Sequence, residues 1–134
     1  MKTTKVSQIM TKEVECITPS QKIVDVKRIY EKQNFHHHIP VVENEKLVGM
    51  ISLIDFMRKI GNANLDNSNE VYHKVTVKDI MTSNPRSAGP SVTIEEVAKE
   101  LASGEFHALP IVEDSKIVGI VTTADLINYF LDRG

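Results

Sequence analysis

A single cysteine, Cys16, and no tryptophan occur in this chain of 134 residues, of which 5% are aromatic. One thiol forms no internal disulfide, which points to a reducing compartment. Positive charge is not in excess: 16 Lys and Arg face 18 Asp and Glu, a formal net charge of −2. That excludes bulk neutralisation of a nucleic-acid backbone, so no nucleic-acid polymer is expected as a partner. No apolar run approaches the ~20 residues of a membrane span. Met1-Lys2-Thr3-Thr4-Lys5-Val6 lacks the apolar core of a secretory signal. A cytoplasmic protein with no membrane partner is therefore expected. Phosphate-loop, GxGxxG and GxSxG motifs are also missing, and Cys16 has no base near it in the sequence. These absences point away from an enzyme and from a resident cofactor. What is present, 41% hydrophobic and 25% charged residues, is ordinary globular composition and rules out disorder.

The chain also contains itself twice. Val6-Ser7-Gln8-Ile9-Met10-Thr11 returns as Val77-Lys78-Asp79-Ile80-Met81-Thr82. The stretch from Pro40 to Asp55, which includes Pro40-Val41-Val42 and Gly49-Met50-Ile51-Ser52, returns from Pro110 to Asp125 with like-for-like exchanges. Such repetition makes each half one structural unit, near the lower size limit for independent stability. Gly61 to Glu70, rich in Asn, holds almost nothing to bury. The expected division is residues 1–61, a linker 62–76, and residues 77–134.

Within each half the patterns agree. Ile94, Val97, Ala98, Leu101 and Ala102 recur with helical spacing, and Thr93 with Glu96 reads as a capping box. The first-half helix runs from about Gln21 to Asn34 with Ile23, Val26 and Tyr30 inward. Two β-branched runs, Ile39–Val42 and Leu47–Ser52, read as a hairpin with its loop around Glu43 to Lys46. Pro40 and Pro110 are expected at the start of a strand, where a missing N–H is tolerated. A closing helix follows, with Leu53, Phe56, Met57 and Ile60 on one face, matched by Leu126, Ile127, Phe130 and Leu131. The five methionines read as core filler.

Ile-Met-Thr, a helix, an apolar–Pro–apolar strand and Gly-x-x-Ser/Thr-x-x-Asp, all in order and all twice, resemble the CBS domain family. The instances are Ile39-Pro40-Val41-Val42 with Gly49, Ser52 and Asp55, and Leu109-Pro110-Ile111-Val112 with Gly119, Thr122 and Asp125. The resemblance implies an α+β fold of two β-α-β-β-α CBS units packed about a pseudo-twofold axis. It also implies clefts for AMP, ADP, ATP or S-adenosylmethionine, and a regulatory function.

Asp55 and Asp125 are the sharpest candidates for the site. A carboxylate offers two acceptor oxygens to neighbouring ribose hydroxyls. Ser52 and Thr122 stand at a strand-to-helix junction, where free N–H groups favour phosphate. Ser/Thr followed three residues later by an acid is equally a helix cap, and spacing alone favours that reading; the resemblance tips the balance towards ribose. The resemblance also places Thr18 and Ile23, and Gly89 and Ile94, around the two bases. Gly89 removes a hydroxyl-bearing contact from the second pocket. His37 and His107, three residues before the strand prolines, are expected to face the ligand.

His36-His37-His38 gives two same-face ligands on a strand at most, short of a zinc site from one chain. Solvent-exposed edge residues are the favoured reading. Apolar residues beyond the inward stripes, Ile54 and Tyr129 among them, suggest a homodimer. Since the repeats fill the chain, the output is expected through an unidentified effector protein or a change of assembly. The rival readings are a ligand-free structural or dimerisation module and, further off, a His-dependent metal-binding protein.

Overall fold

The computed structural model describes residues 4–33, 36–61, 63 and 69–133. They pack as two compact units whose boundaries differ from those of the sequence repeats. A continuous unit comprises Glu15–Pro85, and a discontinuous unit joins Met1–Val14 to Arg86–Gly134.

The continuous unit holds helix α1 (Ile23–Tyr30), strands β1 (His38–Glu43) and β2 (Lys46–Ser52), and helix α2 (Leu53–Ile60). Two short helices, α3 (Val71–Lys74) and α4 (Val77–Ile80), and the two-residue strand β3 (Thr82–Ser83) complete it. β1 and β2 form an antiparallel hairpin closed by Asn44 and Glu45, at φ 53° and 68°. Two consecutive positive φ values mark the primed turn that suits the twist of paired strands. Pro40 is the third residue of β1, not its first, and pairs with Met50. Its carbonyl accepts from Ile17 N at 3.1 Å. Its nitrogen therefore faces the incoming chain, and the β1–β2 ladder loses no donor. The lead strand reduces to a single parallel bridge between Ile17 and Val41.

α1 is shorter than its apolar pattern, beginning at Ile23 and ending at Tyr30; Asn34 lies outside the described residues. Ile23 and Val26 are fully buried as expected, and Lys27 is only 3% exposed. Along α2, Phe56 is buried and Leu53 and Ile60 are half-buried, whereas Ile54 and Met57 are each 57% exposed. Met57 thus belongs to the outward face. The stretch expected as a linker is not all connection, because its described C-terminal part forms α3, where Tyr72 is fully buried. That phenol ring joins the cluster of Ile17, Ile23, Val26, Ile39, Val41, Ile51 and Phe56.

The discontinuous unit repeats the plan: a 3-10 turn at Val6–Gln8, helix α5 (Ile94–Leu101), strands β4 (Ala108–Glu113) and β5 (Lys116–Thr122), and helix α6 (Thr123–Arg133). Its hairpin turns on Asp114 and Ser115, at φ 54° and 69°, and its lead is the bridge Ala88 to Ile111. Thr93 caps α5 by accepting from Glu96 N at 3.2 Å. On α6, Leu126 is buried and Tyr129 half-buried, while Ile127, Phe130 and Leu131 are 53%, 42% and 70% exposed. Those three also turn outward rather than inward.

Each Ile-Met-Thr segment docks on the hairpin of the other repeat. Thr11 exchanges two main-chain hydrogen bonds with Ile120, 2.9 and 3.0 Å, and Thr82 pairs with Met50. A Cβ built on Gly119 would lie 2.5 Å from Met10 Sδ, and one on Gly49 2.5 Å from Met81 Sδ. The glycine of each Gly-x-x-Ser/Thr-x-x-Asp motif is therefore the seat of a methionine. Met10 and Met81 fill space as expected of methionine, at a backbone surface.

Candidate functional site

The two sets of predicted site residues fall one in each unit. In the continuous unit, Ser52 ends β2 and caps α2. Its Oγ accepts from Asp55 N at 3.1 Å, and Asp55 Oδ2 accepts from Ser52 N at 3.3 Å. Thr122 and Asp125 make the same reciprocal box at the start of α6, with 3.1 Å from Asp125 N to Thr122 Oγ1 and 2.9 Å from Thr122 N to Asp125 Oδ2. Such boxes satisfy helix N–H groups that have no partner within the helix, so the capping reading holds in both halves. Each box occupies only one carboxylate oxygen. Among the described residues Oδ1 of Asp55 and of Asp125 takes no hydrogen bond, and both residues are half-buried. One oxygen for the cap and one for a ligand hydroxyl is within the capacity of a carboxylate.

His37 and His107 are exposed and lie just before their strands. Their carbonyls hold the first residue of the closing helix: His37 O accepts from Leu53 N at 2.8 Å, His107 O from Thr123 N at 3.0 Å. A hydroxyl adds a second donor to each. Tyr30 Oη donates to His37 O at 3.1 Å, and Thr123 Oγ1 to His107 O at 3.4 Å. Burial holds the Tyr30 phenol well above its ordinary pKa, and the neighbouring Asp55 carboxylate adds to that. Phenol and carboxylate thus share one neighbourhood, and nothing in the sequence had marked Tyr30 as more than an inward residue.

Ile23, Ile39, Ile94 and Leu109 are 0–1% exposed and lie in the two hydrophobic clusters. Pro40 and Pro110 are buried too, their carbonyls taken by Ile17 N and Ala88 N, 3.1 Å each. The side chains of these six residues thus lie in the core, with almost no surface to offer a ligand. Thr18 is exposed; its N–H and hydroxyl both donate to Gln21 Oε1, at 2.8 and 3.2 Å. At Gly89 an added Cβ would meet nothing within 4 Å, so the space that a side chain would take there is open.

An open hollow of about 390 Å³ in the discontinuous unit is lined by Ile9, Asp125, Asn128, Tyr129 and Asp132. Asn128 and Asp132 were not singled out in the sequence, although their spacing of three and seven from Asp125 puts them on one helical face. Arg58 and Lys59 are exposed in the last turn of α2, and Arg86 is tied to Glu100. His36 and His37 are exposed and His38 is half-buried in β1. Among the described residues no group of three potential ligands stands ready for a metal, and no helix is long and apolar enough to cross a membrane.

Two copies of a Pro-containing hairpin, a Met-on-Gly seat and a Ser/Thr–Asp box are the marks of one known architecture. The CBS domain model matches residues 6–62 and 77–132, and the chain belongs to the CBS domain family as a tandem pair. Among curated relatives it is 30% identical to the uncharacterized protein MJ0188 of Methanocaldococcus jannaschii, over 96% of this chain and 45% of that protein. The chain spans about half the length of the first relatives it matches, 45% and 46%. Among solved structures it is similar to the CBS domain pair of protein MJ0100 in complex with 5′-methylthioadenosine and S-adenosyl-L-methionine. That likeness is 27% identity and a TM-score of 0.82, covering 98% of each chain. CBSX2, solved in complex with AMP, has the same fold at 24% identity and a TM-score of 0.82, covering 97% of this chain and 98% of that one.

Proposed function

We propose that this CBS pair is a cytoplasmic regulatory module, not an enzyme, that binds an adenosine-containing ligand with its ribose on Asp55 or Asp125. One observation carries the reading: each capping box leaves a carboxylate oxygen open beside a helix N-terminus, in a half-buried setting. The ribose hydroxyls donate to that oxygen and the 5′ substituent lies towards the Ser52 or Thr122 end. The adenosine ligands bound to the related MJ0100 pair support the same class here. A second copy of the chain covers the outward apolar faces of α2 and α6, and an effector protein reads the state.

The test is a thermal-melt and calorimetry panel of AMP, ADP, ATP, S-adenosylmethionine and 5′-methylthioadenosine on the full chain. A ligand at one hundred times its Kd adds about 2.7 kcal/mol, a shift of several degrees for a domain of this size. Asp55→Asn and Asp125→Asn keep an acceptor for the cap but lose the carboxylate charge, so they should weaken binding while largely sparing the ligand-free melt. The fully formed caps favour a second reading, a ligand-free structural module. No shift with any compound at millimolar concentration would establish it. Sedimentation of wild type against Leu131→Glu checks the dimer.

A further inference from the structure

We infer that Tyr30 is the positioning residue of the Asp55 site, and that an aromatic stack joins that site, and not the Asp125 site, to helix α3 between the repeats. The inference rests on the adenosine reading for its ligand arm and on geometry for the rest. The His37 carbonyl accepts both Leu53 N and Tyr30 Oη, at 2.8 and 3.1 Å. The first turn of α2, which carries the Ser52–Asp55 box, is thereby tied to the end of α1. The Tyr30 ring packs on Phe56, the residue after Asp55, with centroids 5.5 Å apart. Phe56 in turn stacks on Tyr72 at 6.4 Å. Tyr72 is fully buried, and Lys27 Nζ stands 5.7 Å over its ring while pairing with Glu31 at 2.7 Å.

A helix of four residues does not hold itself together, so α3 keeps its form through the seat of Tyr72. A ligand on Asp55 fixes the first turn of α2, hence Phe56, hence that seat. The repeat breaks this chain of contacts in the discontinuous unit. Leu101 occupies the place of Tyr30 and Leu126 that of Phe56, and the His107 carbonyl takes its hydroxyl from Thr123 within α6 itself. Occupancy of the Asp55 site is thus reported to the segment between the repeats by contacts that the described residues of the discontinuous unit do not repeat.

Hydrogen exchange on the full chain tests this, with 5′-methylthioadenosine and AMP as probes. Bound probe should slow exchange at Tyr72 to Val75 by about fivefold or more, the low end of ordinary coupling. Asp55→Asn should abolish that protection and Asp125→Asn should leave it. Tyr30→Phe, which keeps the ring and loses one hydroxyl, should still bind a probe while protecting α3 less. Without any ligand, Tyr30→Phe should already hasten exchange at Leu53 and Tyr72. If Tyr30→Phe folds poorly, Phe56→Leu breaks the stack with the residue that the other unit uses. Binding with unchanged α3 protection in both variants, or protection lost through Asp125→Asn instead, overturns the coupling and leaves the adenosine reading standing. Failure of every adenosine compound in the melt panel to bind overturns that reading, while the ligand-free exchange rates still decide the Tyr30 link.

Discussion

Gly49 and Gly119 have no positive φ to explain them; they are glycines because a sulfur sits where a Cβ would be. Gly119→Ala would also place its methyl 2.8 Å from Met10 Cγ and 3.0 Å from the Thr11 carbonyl. Overpacking of this kind costs about 1–3 kcal/mol. Urea melts should show that loss, with partial recovery in Gly119→Ala/Met10→Ala, where the sulfur is gone and the carbonyl remains. A second residue-scale effect belongs to Asp79. Hydrogen bonds from the Thr76 N–H and hydroxyl, 2.9 Å each, hold its carboxyl below the ordinary value. A depressed folded pKa means that the contribution is present above the unfolded value, near pH 4, and disappears as pH falls through the folded value. The Thr76 amide resonance should move through that acid window, and Thr76→Ala should loosen α4 already at neutral pH.

Elements were legible wherever local chemistry decides them. Thr76 and Asp79 give α4 a capping box, whereas the first repeat has Lys5 and Gln8 in their places and makes only a 3-10 turn. The hairpin loops were expected around Glu43 to Lys46 and tighten to two residues. Glu45 and Ser115 sit at φ 68° and 69°, a region that side chains occupy at some strain. Glu45→Gly creates the Asn-Gly pair that such turns prefer. It should stabilise by about 0.5–1 kcal/mol once the added entropy of the unfolded chain is set against the relieved strain; thermal melts read the gain. Helix faces were less legible. Met57, Ile127, Phe130 and Leu131 fit an inward stripe by spacing but are exposed, because an apolar arc wider than one core contact does not say which part of it turns inward.

For the molecule as a whole, the repeat and the compact unit are different partitions of one chain. Val6 donates to Val92 O at 2.8 Å, and Val77 to Gln21 O at the same distance, so each lead serves the helix of the other repeat. A fragment 15–85 keeps every member of its cluster, Tyr72 and Val77 included, whereas a fragment 1–61 lacks both. The first should unfold cooperatively in urea and the second should not, as followed by circular dichroism. Tyr72→Ala in the full chain should cost about 3–5 kcal/mol, as truncation of a buried aromatic does.

The sequence by itself determined the duplication, the order of elements, the turn and cap residues and the two Ser/Thr–Asp boxes, since these depend on residues a few positions apart. Only the tertiary structure decided that Met10 seats on Gly119 and Met81 on Gly49, that Tyr72 belongs to a core, and that Tyr30 packs on Phe56, the residue after Asp55. Those pairings join residues far apart in the chain. In two repeats of one pattern a lead segment fits either hairpin by that pattern alone, and only folding in three dimensions fixes which one it meets.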